Sequence, residues 1–148
     1  MEYRDEIMKK GLSHKRLKRV KPSGLVDVKN GVATVNSAGM HYHNLNSLLK
    51  LISRNPAEKI YVHNISGQRY IGTGLQGKVE LHIYGTPGND LAAFMDGPDI
   101  YVHGNAQDGV GNTMNSGKVV VYGHAGDIAG YSMRGGKIFI RDDAGYRI

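Results

Sequence analysis

The sequence predicts an all-β fold, a right-handed parallel β-helix with coils of about 19 residues and one short amphipathic helix near the N-terminus. Glycines, methionines and two sets of aliphatic residues recur with this period. The aligned sets are Gly85, Gly104 and Gly123; Met95, Met114 and Met133; Leu81, Ile100, Val119 and Ile138; and Ile83, Val102, Val121 and Ile140. A fixed period in this range is typical of solenoids, in which each repeat buries its apolar face against its neighbours.

The composition excludes several classes of site. The chain has 148 residues, of which 21 are glycine, and it has no cysteine. Without cysteine it cannot form disulfides, ligate iron–sulfur clusters through thiolates or supply a cysteine nucleophile. No apolar run approaches the ~18 residues of a membrane span, and the first residues lack the apolar region of a signal peptide. We therefore expect a cytoplasmic protein without a membrane partner.

Charge is concentrated at the N-terminus. Residues 1–24 contain eight basic and three acidic residues and so carry +5 of the net charge of +6. This predicts a basic N-terminal arm over 1–24, followed by a single β-helix domain over 25–148. The arm suits docking on a partner better than nucleic-acid binding through residues 9–21, because aromatic side chains for base stacking are nearly absent there.

One segment has the periodicity of a helix, over about 44–54. Its apolar stripe at positions i, i+3, i+4 and i+7 consists of Leu45, Leu48, Leu49 and Ile52. Asn44 or Asn46 is the predicted N-terminal cap, and Asn55-Pro56 the predicted stop. The helix is expected to cover the first coil, because an uncovered solenoid end exposes its core and an unpaired strand edge.

Short strands separated by glycine corners account for the rest. Strands are predicted at 25–28 and 32–35, where Asn30-Gly31 forms either a hairpin turn or a corner. The repeats predict further strands at 78–84, 99–103, 118–122 and 137–141. The predicted outward columns are His82, Tyr101, Val120 and Phe139, and beside them Tyr84, His103, Tyr122 and Arg141. Such a mixture suits an outer wall that is partly wet and partly a docking surface.

The histidines do not form a zinc pattern. His63, His82, His103 and His124 fall in different columns of the repeat, whereas a metal needs ligands that converge. His41-x-His43, near the helix start, is interpreted as a surface pair rather than a ligand site.

A polar ladder at one corner is the remaining candidate. Asn89, Asp108 and Asp127 are 19 residues apart, and such side chains commonly hydrogen-bond backbone in turns, so a structural role is favoured. The Gly-Gly-x-Gly-x-Asp runs of a nonapeptide calcium site are absent. Gly72-Thr73-Gly74 lacks the strand–loop–helix context and the lysine of a phosphate loop.

The glycine pattern resembles the GXGXG-motif domain over roughly residues 60–148. The matching motifs are Asn64-x-x-x-x-Arg69-x-x-Gly72-Thr73, Gly85-x-x-Gly88, Gly104-x-Ala106-x-Asp108-x-Val110-Gly111-x-x-Met114-x-x-Gly117-Lys118-Val119 and Gly123-x-Ala125-Gly126-x-x-x-Gly130-x-x-Met133-x-Gly135-Gly136. This domain forms the C-terminal β-helix of the glutamate synthase large subunit and the β-helical subunit of formylmethanofuran dehydrogenase. The ending 143–148 is similar to the stand-alone glutamate synthase version.

The resemblance implies a non-catalytic scaffold in a glutamate synthase-like oxidoreductase complex. It implies no cofactor in this chain, with FMN and iron–sulfur clusters in partner subunits. It carries over only structural positions: Arg69, Gly72, Gly85, Gly88, Gly104, Asp108, Gly111, Gly117, Gly123, Gly126, Asp127, Gly130, Gly135 and Gly136. The alternatives are a formylmethanofuran dehydrogenase-like scaffold, and a β-helix enzyme or homo-oligomer with a site between coils or subunits.

Overall fold

A computed structural model describes residues 26–54 and 57–148. The predicted arm over 1–24 and the predicted helix stop at Asn55-Pro56 lie outside the described residues. In the described part the chain is a β-solenoid with one helix, so the predicted fold class is confirmed.

The first two strands form a hairpin. Strands β1 (Val26–Lys29) and β2 (Val32–Asn36) pair antiparallel. Asn30 and Gly31 between them have φ of 51° and 76°. Two consecutive left-handed residues are the requirement of a type I′ turn, which suits the twist of a hairpin. Of the two interpretations of Asn30-Gly31, the hairpin turn is therefore the one adopted.

Helix α1 (Tyr42–Arg54) begins two residues before the predicted start. Asn44 and Asn46 consequently lie inside the helix, and the prediction that one of them caps it is wrong. The His41 ring occupies that position instead, because its Nδ1 accepts a hydrogen bond from the backbone N–H of His43 at 3.3 Å. An acceptor at this place satisfies one of the free N–H groups of the first turn.

The helix packs on the solenoid through its predicted stripe. Leu45, Leu48, Leu49 and Ile52 are buried in the same core as the strands. The side chain of Asn46 adds a polar tie, since its Nδ2 donates to the carbonyl oxygen of Arg69 at 3.0 Å. No helix of the described chain has the length and apolar character that crossing a membrane would require.

Five further strands continue the sheet in chain order, each parallel to the one before. They are β3 (Lys59–Ser66), β4 (Glu80–Thr86), β5 (Asp96–His103), β6 (Ser116–Val121) and β7 (Lys137–Ile140). From β4 onward, paired residues are one 19-residue period apart, as in Leu81↔Ile100. Between β3 and β4 the interval is 21 residues, as in Ile60↔Leu81.

The aliphatic ladders fill the interior of the coils. Ile100, Val102, Val119 and Val121 are completely buried. Each stacks on its counterpart in the next coil, for example Ile100 on Val119 and Val102 on Val121. The hydrophobic stabilisation is therefore shared between neighbouring coils.

Each coil also passes through a turn in which every second residue is left-handed. Gly109, Gly111 and Thr113 have φ of 73°, 69° and 53°. Their N–H groups bond alternately to the following and the preceding coil: to the carbonyl oxygens of Asp127 at 3.0 Å, Leu91 at 2.8 Å and Tyr131 at 2.8 Å. The alternation aims successive N–H groups at opposite neighbours, so the turns stack as the strands do.

Candidate functional site

The most distinctive surface is a wall of stacked rings on the outward face of β3 to β6 and the residue that follows β6. We call it the ring wall; its members are Tyr61, His63, His82, Tyr84, Tyr101, His103 and Tyr122. These residues alternate with the buried aliphatic positions, because successive side chains of a strand point to opposite faces. The parallel register places rings of neighbouring coils over one another, as in His82↔Tyr101.

The rings stack in two columns. In the first, His82 lies between Tyr61 and Tyr101 with centroid separations of 4.9 and 5.0 Å. In the second, Tyr84 lies between His63 and His103 at 4.7 and 4.6 Å. These separations match the ~4.8 Å spacing of hydrogen-bonded strands, so stacking requires no distortion of the sheet. The result is a flat, ordered surface.

A chain of three polar groups crosses the two columns. His82 Nε2 lies 2.6 Å from Glu80 Oε1, and His82 Nδ1 lies 2.8 Å from Nε2 of His103. When both imidazoles are neutral, one arrangement satisfies every group: His82 donates to Glu80 and accepts at Nδ1 from His103. This leaves the Nδ1 lone pair of His103 as a hydrogen-bond acceptor.

The chain shifts the protonation of both of its ends. The hydrogen bond with His82 holds the pKa of the Glu80 carboxyl below its ordinary value, and the Lys59 ammonium acts in the same direction. Partial burial lowers the pKa of His103 below its ordinary value, and positive charge on His82 lowers it further. Burial disfavours the charged form of an imidazole, so His103 is held neutral over a wider pH range.

The sequence predicted that His82 and His103 occupy different columns, and their registers agree, since His82 pairs with Tyr101 and Tyr84 pairs with His103. The inference that they lie apart was wrong. The two imidazoles meet along the diagonal between adjacent strands, where residues at i and j+2 remain within reach of long side chains. A search for diagonal as well as direct neighbours in the repeat alignment would have found the pair.

Charged residues frame the ring wall at the start of the strands. Lys59 lies 3.7 Å from Glu80, and Lys118 lies 3.6 Å from Asp99. The Lys118 ammonium also lies over the ring of Tyr101, 5.1 Å from its centroid, within the range of a cation–π contact. The wall itself offers ring faces and hydroxyl and imidazole edges, which suit contact with another flat protein surface.

The motif residues lie at the corners and turns rather than on the ring wall. Gly72, Gly111 and Gly130 are left-handed turn residues. A second group approaches the preceding coil so closely that a Cβ would overlap its atoms: Gly85, Gly88, Gly104, Gly117, Gly123, Gly126, Gly135 and Gly136. Arg69 contributes its carbonyl oxygen to the tie with α1.

The predicted polar ladder joins successive corners through side-chain-to-backbone hydrogen bonds. The Asn89 Oδ1 accepts from the Asp108 N–H at 3.3 Å, and the Asp108 Oδ1 accepts from the Asp127 N–H at 2.8 Å. The ladder then extends to Tyr146, whose N–H donates to the Asp127 Oδ1 at 2.8 Å. Gly126 leaves room for it, because a Cβ there would overlap the Asp108 carboxylate. These acids are engaged in holding the corner.

The other candidate residues remain dispersed. His124 lies 3.4 Å from an oxygen of Asp143 on the exposed surface. In the Gly72-Thr73-Gly74 turn, the N–H groups of Thr73 and Gly74 bond to the carbonyl oxygens of Tyr70 and Ala93. Within residues 26–54 and 57–148, no group of three His, Cys, Asp or Glu side chains has an arrangement that could hold a metal ion.

Comparison with known proteins is consistent with this architecture. The family model of the GXGXG motif matches residues 50–148. An uncharacterized protein of Methanocaldococcus jannaschii, MJ1350, is 48% identical over 69 residues, which is 45% of this chain and 26% of the relative. The match thus covers about a quarter of that relative's length. No solved structure gives a significant match.

Proposed function

Because the chain belongs to the GXGXG motif family, we propose that it is a scaffolding module of a glutamate synthase-like assembly. In this proposal partner chains form glutamate from glutamine and 2-oxoglutarate, and this chain holds them in place. The chain has no cysteine, so the partners supply the iron–sulfur ligands and any thiolate that releases ammonia. FMN likewise belongs to a partner.

The observation that carries the proposal is the ring wall. It presents seven rings across four successive coils on a backbone stiffened by strand pairing and by side-chain ladders. Tyrosine is enriched at the centres of protein interfaces because it buries a large area with little loss of conformational entropy. A flat wall of this kind can position a partner without moving itself.

A second function has one specific observation in its favour. The Glu80–His82–His103 chain has the order carboxylate, imidazole, imidazole, and its last nitrogen faces outward. Such a chain can orient a general base. It would serve an enzyme whose substrate lies on the ring wall, or between two copies of the chain.

The test is to tag the chain in its native host, isolate the assembly and measure glutamate formation from glutamine and 2-oxoglutarate. We expect co-purified glutaminase-like and FMN-binding chains, and activity that requires this chain. Recovery of molybdopterin- or tungstopterin-dependent chains would instead place it in a formylmethanofuran dehydrogenase-like complex. A stable homo-oligomer that turns over substrate without partners would support the enzyme.

A matched pair of variants locates the contact. Tyr122 and Tyr131 are 40% and 59% exposed, but only Tyr122 belongs to the ring wall. Tyr122→Glu should release the partner chains, because binding would have to desolvate a carboxylate. Tyr131→Glu should leave the assembly intact. Equal retention of partners by both variants would show that the ring wall is not the interface.

A further inference from the structure

The two ends of the solenoid differ. Helix α1 packs over the first coils, but β7 is the last strand of the described sheet, and no described residue pairs with its outer edge. Beside this edge lies an open cavity of about 610 Å³, which we call the end cavity. Its lining includes Ala129, Met133, Ile138, Ile140 and Ile148.

The lining of the end cavity is the interior of the solenoid left uncovered. Val119 and Val121 are completely buried, whereas Ile138 and Ile140, which stack on them in the next coil, are only partly buried. An occupant that continues the pattern would place alternate apolar side chains over these two isoleucines. That alternation is the property of an extended strand with one apolar face.

The charges at the start of the strands specify the occupant further. This column reads Lys59, Glu80, Asp99, Lys118 and Lys137 in successive strands. Lys59 and Lys118 have carboxylates within 4 Å in the neighbouring strand. Lys137 instead lies opposite Lys118, which is already engaged with Asp99. Because opposite charges stabilise cross-strand pairs, the next position of the column favours an acid.

A second copy of the chain fits this edge less well. If two β7 strands paired antiparallel with their apolar faces on the same side, the register that joins Ile138 to Ile140 would set Lys137 opposite Arg141. Like charges directly opposite one another destabilise a sheet. The edge therefore favours a different polypeptide.

We propose that the open end takes up one extended segment of a partner protein, parallel to β7. The segment places alternate apolar residues over Ile138 and Ile140, and a carboxylate opposite Lys137. Backbone hydrogen bonds to the free edge supply affinity, and the apolar and acidic positions supply specificity, as in other cases of strand addition. The inference rests on the proposed scaffolding function but concerns a surface separate from the ring wall.

The probe is a fluorescein-labelled peptide with the sequence of β5, Asp96–His103. In the protein's own sheet this strand sets Asp99 opposite Lys118 and Ile100 opposite Val119. On β7 it would set the same aspartate opposite Lys137. Fluorescence anisotropy against the intact chain measures its affinity.

A charge exchange tests the register. Replacing the peptide's aspartate at position 99 by lysine, or making Lys137→Glu in the protein, should weaken binding about tenfold. Combining the two changes should restore it. Lys78→Glu, an exposed lysine outside β7, is the matched control and should have no effect. Amide hydrogen exchange should slow at β7 when the peptide binds and stay unchanged at β4.

Three results would overturn the proposal: no binding at millimolar peptide, binding indifferent to the charge exchange, or protection at a strand other than β7. A chain dimer in sedimentation, with β7 protected and no peptide needed, would assign the end to a second copy. Tyr122→Glu should leave peptide binding unchanged. Failure of the peptide with an intact assembly would therefore refute the end site and leave the proposed function standing.

Discussion

At the scale of single residues, neighbouring positions of one strand have opposite environments. Val102 is completely buried in the aliphatic ladder, whereas the next residue, His103, is exposed on the ring wall. The inner side chain is surrounded by apolar atoms of two further coils. The outer one has a ring on either side and solvent in front.

We expect Val102→Asp to abolish the native fold and His103→Ala to be tolerated. A carboxylate at position 102 would be buried without a partner, at a cost of more than about 4 kcal/mol in the free energy of unfolding. Urea unfolding followed by circular dichroism measures both variants, with Val102→Ile as the control for altered packing. Comparable midpoints for the aspartate and alanine variants would contradict the assignment of inner and outer faces.

The Glu80–His82–His103 chain makes stability depend on pH. Because the folded state lowers the pKa of His103, the unfolded chain binds more protons between that lowered value and about 6.5. This contribution is complete above about pH 6.5 and is lost as the pH falls through that window. The lowered pKa of Glu80 acts in the same direction at more acidic pH.

The thermal midpoint should accordingly fall as the pH is lowered from 7 to 5, and His103→Gln should flatten this dependence. Glutamine keeps a polar side chain at the position but does not titrate in this range. His43→Gln, on the exposed first turn of α1, is the control and should retain the wild-type slope. An unchanged slope in the His103 variant would exclude a contribution from this imidazole.

At the scale of elements, the turns carry backbone conformations that favour glycine. Gly109 has its counterpart 19 residues later in Ile128, whose φ is 54°. A left-handed conformation costs a non-glycine residue roughly 1–2 kcal/mol, and a β-branched residue is an outlier there. Stacking of the turn between neighbouring coils holds Ile128 in place, since its N–H bonds to the carbonyl oxygen of Tyr146.

Replacement of Ile128 by glycine should therefore stabilise the protein by about 1 kcal/mol, after the greater flexibility of the unfolded chain is subtracted. Ile128→Val keeps the β-branched backbone preference and should give no gain. Chemical denaturation of the two variants distinguishes them. A loss of stability in the glycine variant would mean that the partly buried side chain contributes more than the backbone strain costs.

At the scale of the whole molecule, the described coils form a row in which each contacts mainly its neighbours. The hairpin and α1 lie at one end, and β7 with its free edge lies at the other. Opening the β7 end breaks the contacts between only two coils, whereas opening the centre breaks contacts on both sides.

Amide hydrogen exchange should show this gradient. We expect Ile138 and Ile140 of β7 to exchange at least about tenfold faster than Ile100 and Val102 of β5, because end coils open below the global free energy of unfolding. Mass spectrometry of short peptic fragments resolves the two strands. Uniform protection from β3 to β7 would show that the solenoid opens as one cooperative unit.

The period predicted the aliphatic ladders correctly, because parallel strands of equal coil length stack each residue on the one that follows it by 19 positions. It did not predict the 21-residue interval between β3 and β4, where the register shifts between Val62 and Ile65. Nor did composition identify His41 as the helix cap, since asparagine is the commoner cap and two asparagines lie nearby.

The sequence by itself determined the solenoid, its buried faces and its corner glycines, because a repeated pattern of apolar and small residues buries its core only when coils stack in register. The tertiary structure alone decided that His82 and His103 touch and that Lys137 lies beside an engaged lysine at a free edge. Such contacts depend on the twist and offset between neighbouring strands. A period specifies which residues share a column, but it leaves open which side chains meet between columns and what lies beyond the last coil.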